Sequence, residues 1–407
     1  MGKLFPDEKD QYTMSFPKRR ADRPLIYTGW MAGDQKPSYQ PSKDRDRLRI
    51  PALNQKKIWL MAILGISLAV GIATVIVLLF KGSPGQMKGN PQSAEGNLPA
   101  DPAPAPAVPQ FPFSELTLPY LRGRQYDSAL SDLRFVSESQ SYTSYLTSYQ
   151  SDGFRINGQL IIPKGQSPVG GRPAVVFVHG YIPPGQYRTL VNYASYVDFL
   201  ARQGLVVFKI DLRGHDQSEG EPGGSYYSGD YVIDTLNAFA ALKKAEFVDP
   251  DRIGLWGHSM AGNVVFRSFV AMPEIKRVVI WAGAVYTYED FSQFRISDRS
   301  YQPPAQDSER RRKRDELFNL YGQFSPESEF WRQVPATNYL DGVTGAIEVH
   351  HARDDAVVEI GYSRNLMDVL NGTDISHQLF EYPSGGHNLT GSTFTQAMQR
   401  TADFFKQ

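Results

Sequence analysis

Six short runs rich in β-branched and aromatic residues alternate with helical patterns along the C-terminal part of this 407-residue chain. The runs are 174–178, 205–210, 253–256, 277–282, 346–350 and 378–382. Helical patterns fall at about 187–203, 229–245, 260–272, 361–371 and 392–406. Runs such as Ala-Val-Val-Phe-Val carry no polar alternation, which is the signature of strands covered on both faces. A helix between successive strands is the crossover that parallel pairing requires. The predicted class is therefore α/β, a mainly parallel sheet with helices on both faces. Residues 142–163 add two strand-like runs around the turn Ser151-Asp152-Gly153, and 115–140 reads as helical.

One connection is far longer than the rest. Residues 285–343 separate two core strands, show no strand pattern and hold many aromatics, among them Tyr288, Phe291, Phe318 and Trp331. Insertions of this length are commonly functional. The segment is expected to form a lid over the strand ends.

The N-terminal part has a different character. Ile58 to Phe80 is 23 residues without a charge, long enough as a helix (about 34 Å) to cross a hydrocarbon core of about 30 Å. Residues 1–57 carry 13 Lys and Arg against 7 Asp and Glu, and Arg45, Arg47, Arg49, Lys56 and Lys57 crowd the near flank of that run. By the positive-inside rule, 1–57 is a basic disordered cytoplasmic tail, 58–80 a single transmembrane helix in contact with the bilayer, and the remainder extracytoplasmic. Residues 81–112 hold eight prolines and read as an extended linker, leaving 113–407 as the globular domain. That domain holds 28 basic residues against 34 acidic ones, which argues against nucleic acid as a partner. The absence of cysteine excludes disulfides and a thiol nucleophile. No metal-ligand spacing is present, and neither a metal nor another cofactor is expected; the sequence leaves the oligomeric state open.

Trp256-Gly257-His258-Ser259-Met260-Ala261-Gly262 lies between an apolar strand and a helical stretch. That is the setting of a serine nucleophile on a tight strand-to-helix turn, where small residues on either side relieve crowding. In a chain with 35 glycines the pattern arises easily by chance, so a base, an orienting carboxylate and an oxyanion hole must accompany it.

With those residues in view, the region from about 140 to 407 resembles the α/β-hydrolase superfamily. It is most similar to the prolyl oligopeptidase catalytic domain and related single-domain esterases. The resemblance implies an α/β-hydrolase fold with the lid inserted at about 285–343, and a triad in the chain order Ser, Asp, His. Val349-His350-His351-Ala352-Arg353-Asp354-Asp355-Ala356-Val357 resembles the family's carboxylate loop. Alignment on His350 and Val357 selects Asp354, with Asp355 as its rival. Of seven histidines, His387 in Pro383-Ser-Gly-Gly-His387 sits between the last strand and the last helix, where the family places its base. His258, next to the serine, is expected to point away from it. His179-Gly180-Tyr181 matches the family's oxyanion loop, so the N–H groups of Tyr181 and Met260 are the candidate oxyanion donors. Asp211 and Arg213 are expected to brace the sheet end. The implied activity is hydrolysis of a small-molecule ester or a peptide through an acyl-enzyme on Ser259. The alternative is a non-catalytic, membrane-tethered binding domain on the same fold. Only about 30 residues lie between linker and core, too few for the β-propeller that screens peptides in the larger peptidases.

Overall fold

The computed structural model describes residues 111–407. The expected tail, the 58–80 helix and nearly all of the linker lie outside the described residues. Among those described, no helix is long and apolar enough to cross a membrane.

Among the described residues nine strands form one sheet: β1 (Arg134–Glu138), β2 (Tyr142–Ser151), β3 (Phe154–Pro163), β4 (Arg172–Val178), β5 (Val206–Ile210), β6 (Val248–His258), β7 (Arg277–Trp281), β8 (Ala346–Ala352) and β9 (Ser376–Tyr382). Their spatial order is β1-β2-β3-β5-β4-β6-β7-β8-β9. β1, β2, β3 and β5 pair antiparallel in succession, and every pair from β5 through β4 to β9 is parallel. The chain steps outward from β4 to β5 and then crosses back to β6 on the other side of β4, so the strand order switches there; because these strands are parallel, their C-terminal ends share one edge and their loops meet at it.

The helices are α1 (Leu118–Gly123), α2 (Ala194–Arg202), α3 (Asp230–Lys243), α4 (Met260–Ala271), α5 (Asp290–Gln293), α6 (Glu309–Tyr321), α7 (Gly361–Leu370) and α8 (Ser392–Lys406). Side chains alternate across β4. Ala174, Val176 and Val178 join a core with α3, α4 and α7, while Val175 and Phe177 join a second core with α2 and α8. In the second core Phe177 stacks on Trp256 with centroids 3.9 Å apart. This two-sided burial is why the strands lack polar alternation.

Two expectations need correction. Residues 115–140 are not one helix. Thr117 caps α1, which begins at Leu118 with Pro119 in its first turn and ends after six residues, and 134–138 instead pairs with the free edge of β2. Tertiary pairing outweighs helical propensity there. The helix expected from 187 begins only at Ala194. Side chains tie the preceding segment to the sheet end: the Tyr187 hydroxyl donates to Asp211 (3.0 Å) and the Thr189 hydroxyl to the same carboxylate (2.6 Å). The buried Lys209 ammonium donates to the carbonyls of Thr189 and Asn192, so those oxygens do not enter a helix ladder.

The lid has a small core of its own. Tyr288, Leu317, Phe330, Trp331 and Val334 cluster with Leu116 from the N-terminal segment. The Tyr321 hydroxyl donates to the Pro112 carbonyl (2.8 Å), and the buried Arg267 guanidinium donates to the carbonyl of Leu116 (2.6 Å). The first described residues are thereby fastened both to the lid, through Tyr321, and to α4, through Arg267.

Candidate active site

Ser259 sits between β6 and α4 with φ 55° and ψ −120°, a backbone state that costs a non-glycine residue about 1–3 kcal/mol. It is held by its own N–H, which donates to the Trp281 carbonyl on β7 (2.8 Å), and by its carbonyl, which accepts from Gly262 (2.9 Å). A Cβ at Gly257 would lie 2.6 Å from the Ala261 carbonyl oxygen and 2.8 Å from Val265 Cγ2. A Cβ at Gly262 would lie 2.6 Å from Gly283 Cα. Both glycines are therefore required by close approach, the first inside the turn and the second where α4 crosses the loop after β7. Met260 opens α4, so its N–H is one of the first-turn amides with no acceptor in the helix.

His387 follows β9 on the loop that leads to α8. Its Nδ1–H donates to Asp355 Oδ2 at 2.8 Å, the tautomer whose Nε2 is the acceptor nitrogen of the neutral ring. Ser259 and His387 line one cavity of about 650 Å³. Tyr181, Ser259 and Met260 together line a second, of about 470 Å³.

The carboxylate against His387 is Asp355, which corrects the expectation of Asp354. β8 runs to Ala352, two residues beyond the predicted end, and a turn closes with the Asp355 N–H on the Ala352 carbonyl (3.2 Å). Asp355 then points toward His387. Its Oδ1 accepts the N–H groups of Val357 (2.8 Å) and Val358 (3.0 Å), and His351 Nε2 stands 3.2 Å from Oδ2. Asp354, one residue earlier, faces the other side of the turn and accepts the N–H groups of Gly386 (2.8 Å) and Gly385 (3.4 Å). It steadies the loop that carries the histidine. Burial alone would raise the Asp355 pKa; the hydrogen bonds from His351 and His387 outweigh it and hold the carboxyl well below its usual range.

His258 is buried, and its two ring nitrogens join the two halves of the site. Nε2–H donates to the His387 carbonyl (2.9 Å), so Nδ1 accepts from the Tyr193 hydroxyl (2.7 Å). The Tyr193 oxygen in turn accepts the Gly180 N–H (3.0 Å), immediately before Tyr181. Burial, and next the neighbouring His387, push the His258 pKa down to about 3, so the ring is neutral at pH 7. One chain of hydrogen bonds thus runs from the Gly180–Tyr181 loop to the backbone of the His387 loop. Sequence reading set His258 aside and overlooked Tyr193. The visible signal was Lys209, a charge inside an otherwise apolar strand, which fixes the segment leading to Tyr193.

Arg213 braces the sheet end as expected. It pairs with Asp234 (2.7 Å), Asp152 (3.0 Å) and Asp230 (3.1 Å), while Asp211 holds Tyr187 and Thr189. His350 is taken up by Glu348 (2.6 Å) and the Tyr382 hydroxyl (2.8 Å), away from His387.

Residues 171–301 match the family described as serine aminopeptidase, S33. The described residues adopt an α/β-hydrolase fold, and their similarity is to serine hydrolases. The chain is 28% identical over 145 residues to the polyketide transferase claH of Penicillium crustosum, covering 36% of this chain and 45% of that protein. It is 29% identical over 170 residues to the uncharacterized peptidase YtmA of Bacillus subtilis (strain 168), covering 40% of this chain and 61% of that one. The chain therefore spans less than two thirds of the length of these relatives. Among solved structures, the acetyl xylan esterase from Paenibacillus sp. R4 aligns with TM-score 0.49 at 18% identity, over 70% of this chain and 90% of that one.

Proposed function

We propose that this domain is a membrane-tethered serine hydrolase acting outside the cytoplasm on ester or amide bonds. Ser259 attacks the carbonyl, His387 Nε2 takes the serine proton and then passes it to the leaving group, and water cleaves the resulting acyl-enzyme. Asp355 fixes the imidazole tautomer and steadies the imidazolium. The N–H groups of Met260 and Tyr181 receive the oxyanion. The observation that best supports this reading is the 2.8 Å hydrogen bond between Asp355 and His387, with the strained Ser259 on the wall of the same cavity. The tether rests on the charge-free run at 58–80 and its basic flank.

A charged, membrane-impermeant fluorophosphonate tests both halves of the proposal. The expected outcome is labelling of Ser259 on intact cells and loss of that labelling in Ser259→Ala. Labelling only after lysis would overturn the topology. No labelling in either state would overturn the enzyme reading in favour of a binding domain.

A further inference from the structure

Two cavities meet at Ser259, and they face different parts of a substrate. The larger is lined by His258, Ser259 and His387. The other is lined by Tyr181, Ser259 and Met260, extends beneath the lid, and does not include His387 in its wall. In acyl transfer the imidazole that accepts the serine proton must return it to the departing atom, so the leaving group occupies the His387 side. The cavity beneath the lid then receives the acyl group. This assignment rests on the serine hydrolase reading.

The acyl cavity has charged walls, and most of its cations are already engaged. Arg213 is paired with Asp234 and Asp230, Lys313 with Glu309 (2.8 Å), and Arg311 stands 3.8 Å from Asp315. Arg310, on the first turn of α6, has no hydrogen-bond or ion-pair partner among the described residues. Its guanidinium stands over Gly224 on the cavity wall, with Nη2 3.0 Å from where a Cβ on that glycine would lie. Burial raises the pKa of the Tyr231 hydroxyl, and the Arg310 charge is the largest influence opposing it, as expected of a cation aimed inward. The wall also holds Glu115, Asp230 and Glu309. A dianion such as a phosphate monoester would be repelled by these neighbours, whereas one carboxylate matches the two-pronged donor geometry of a single guanidinium.

We propose that the acyl cavity accepts an acyl chain that ends in a carboxylate, and that Arg310 is the residue that selects it. The substrates would be monoesters or monoamides of dicarboxylic acids, or acyl groups with an acidic side chain. The full-length chain can be assayed with 4-nitrophenyl monoesters of dicarboxylic acids of increasing length, each against its methyl-capped neutral partner. At the chain length that reaches Arg310, the free acid should show kcat/KM higher by roughly tenfold or more, the scale of a charge-assisted hydrogen bond. Arg310→Gln should bring that ratio to about one, and an unchanged urea-unfolding midpoint of the variant reports correct folding. Arg310→Lys should retain part of the ratio. Equal cleavage of free and capped esters at every length, or a ratio that survives Arg310→Gln, would overturn the Arg310 assignment and leave the hydrolase reading standing. No ester cleavage at all, with no fluorophosphonate labelling, would overturn both.

Discussion

Asp355 Oδ1 is committed to the N–H groups of Val357 and Val358, so Oδ2 is the oxygen available to His387 and His351. The adjacent Asp354 serves backbone amides only. Asp355→Asn would present an amide to His387 and favour the wrong imidazole tautomer, so kcat should fall by about 10⁴-fold. Asp354→Asn keeps an oxygen acceptor for Gly386 and should lose no more than about tenfold, the scale of one weakened hydrogen bond. Measuring kcat of both variants on one ester decides between them; equal losses would contradict the geometry. In the sequence these two residues are chemically identical neighbours. Only the true end of β8 and the turn after it separate them, and element boundaries are the part of a fold that local pattern encodes least sharply.

At the scale of elements, the central parallel strands β4 to β8 and the helices between them were legible because each strand buries an apolar run on both faces, whereas the edge strand β9 is half-exposed. The antiparallel edge strand β1 was not, because its five residues are mostly exposed and it exists through pairing with β2 rather than through its own pattern. The late start of α2 was hidden for the opposite reason: 187–193 has helical composition, but Lys209 and Asp211 claim its polar groups. The seating of α4 against the loop after β7 leads to a stability prediction. Gly262→Ala would force a methyl to within 2.6 Å of Gly283 Cα, a backbone atom that a side-chain rotation cannot clear. It should cost about 1–3 kcal/mol in urea unfolding. Gly372→Ala is the control, because a Cβ there meets nothing within 4 Å, and its midpoint should not fall.

For the whole molecule, three buried imidazoles set a common acid limit. Burial pushes the pKa of His179 down to about 4 and those of His215 and His258 to about 3. In the unfolded chain each would titrate near 6.5, so between that value and 3–4 the unfolded state binds more protons than the folded state. Stability from these sites is complete above about pH 6.5 and declines as pH falls, by up to about 1.4 kcal/mol per pH unit for each histidine. Burial raises the Asp211 pKa to about 7, so that site gains stability as pH falls and offsets part of the loss from the three rings; urea midpoints measured from pH 7.5 to pH 5 should still fall below pH 6.5, and a rising profile would contradict the burial of these rings in neutral form. The sequence showed seven histidines and suggested a role for one. That His179, His215 and His258 are enclosed depends on long-range packing of the 179–193, 211–216 and 387 loops, which no local pattern reports.

The attachment of Pro112 and Leu116 to the lid has a mechanical meaning. A force applied through the chain ahead of Phe111 would meet Tyr321 of the lid at Pro112 before it met Arg267 of α4 at Leu116, because the two grip successive backbone carbonyls of that entry point. Such a pull would bear first on the lid, the roof of the cavity beside Ser259.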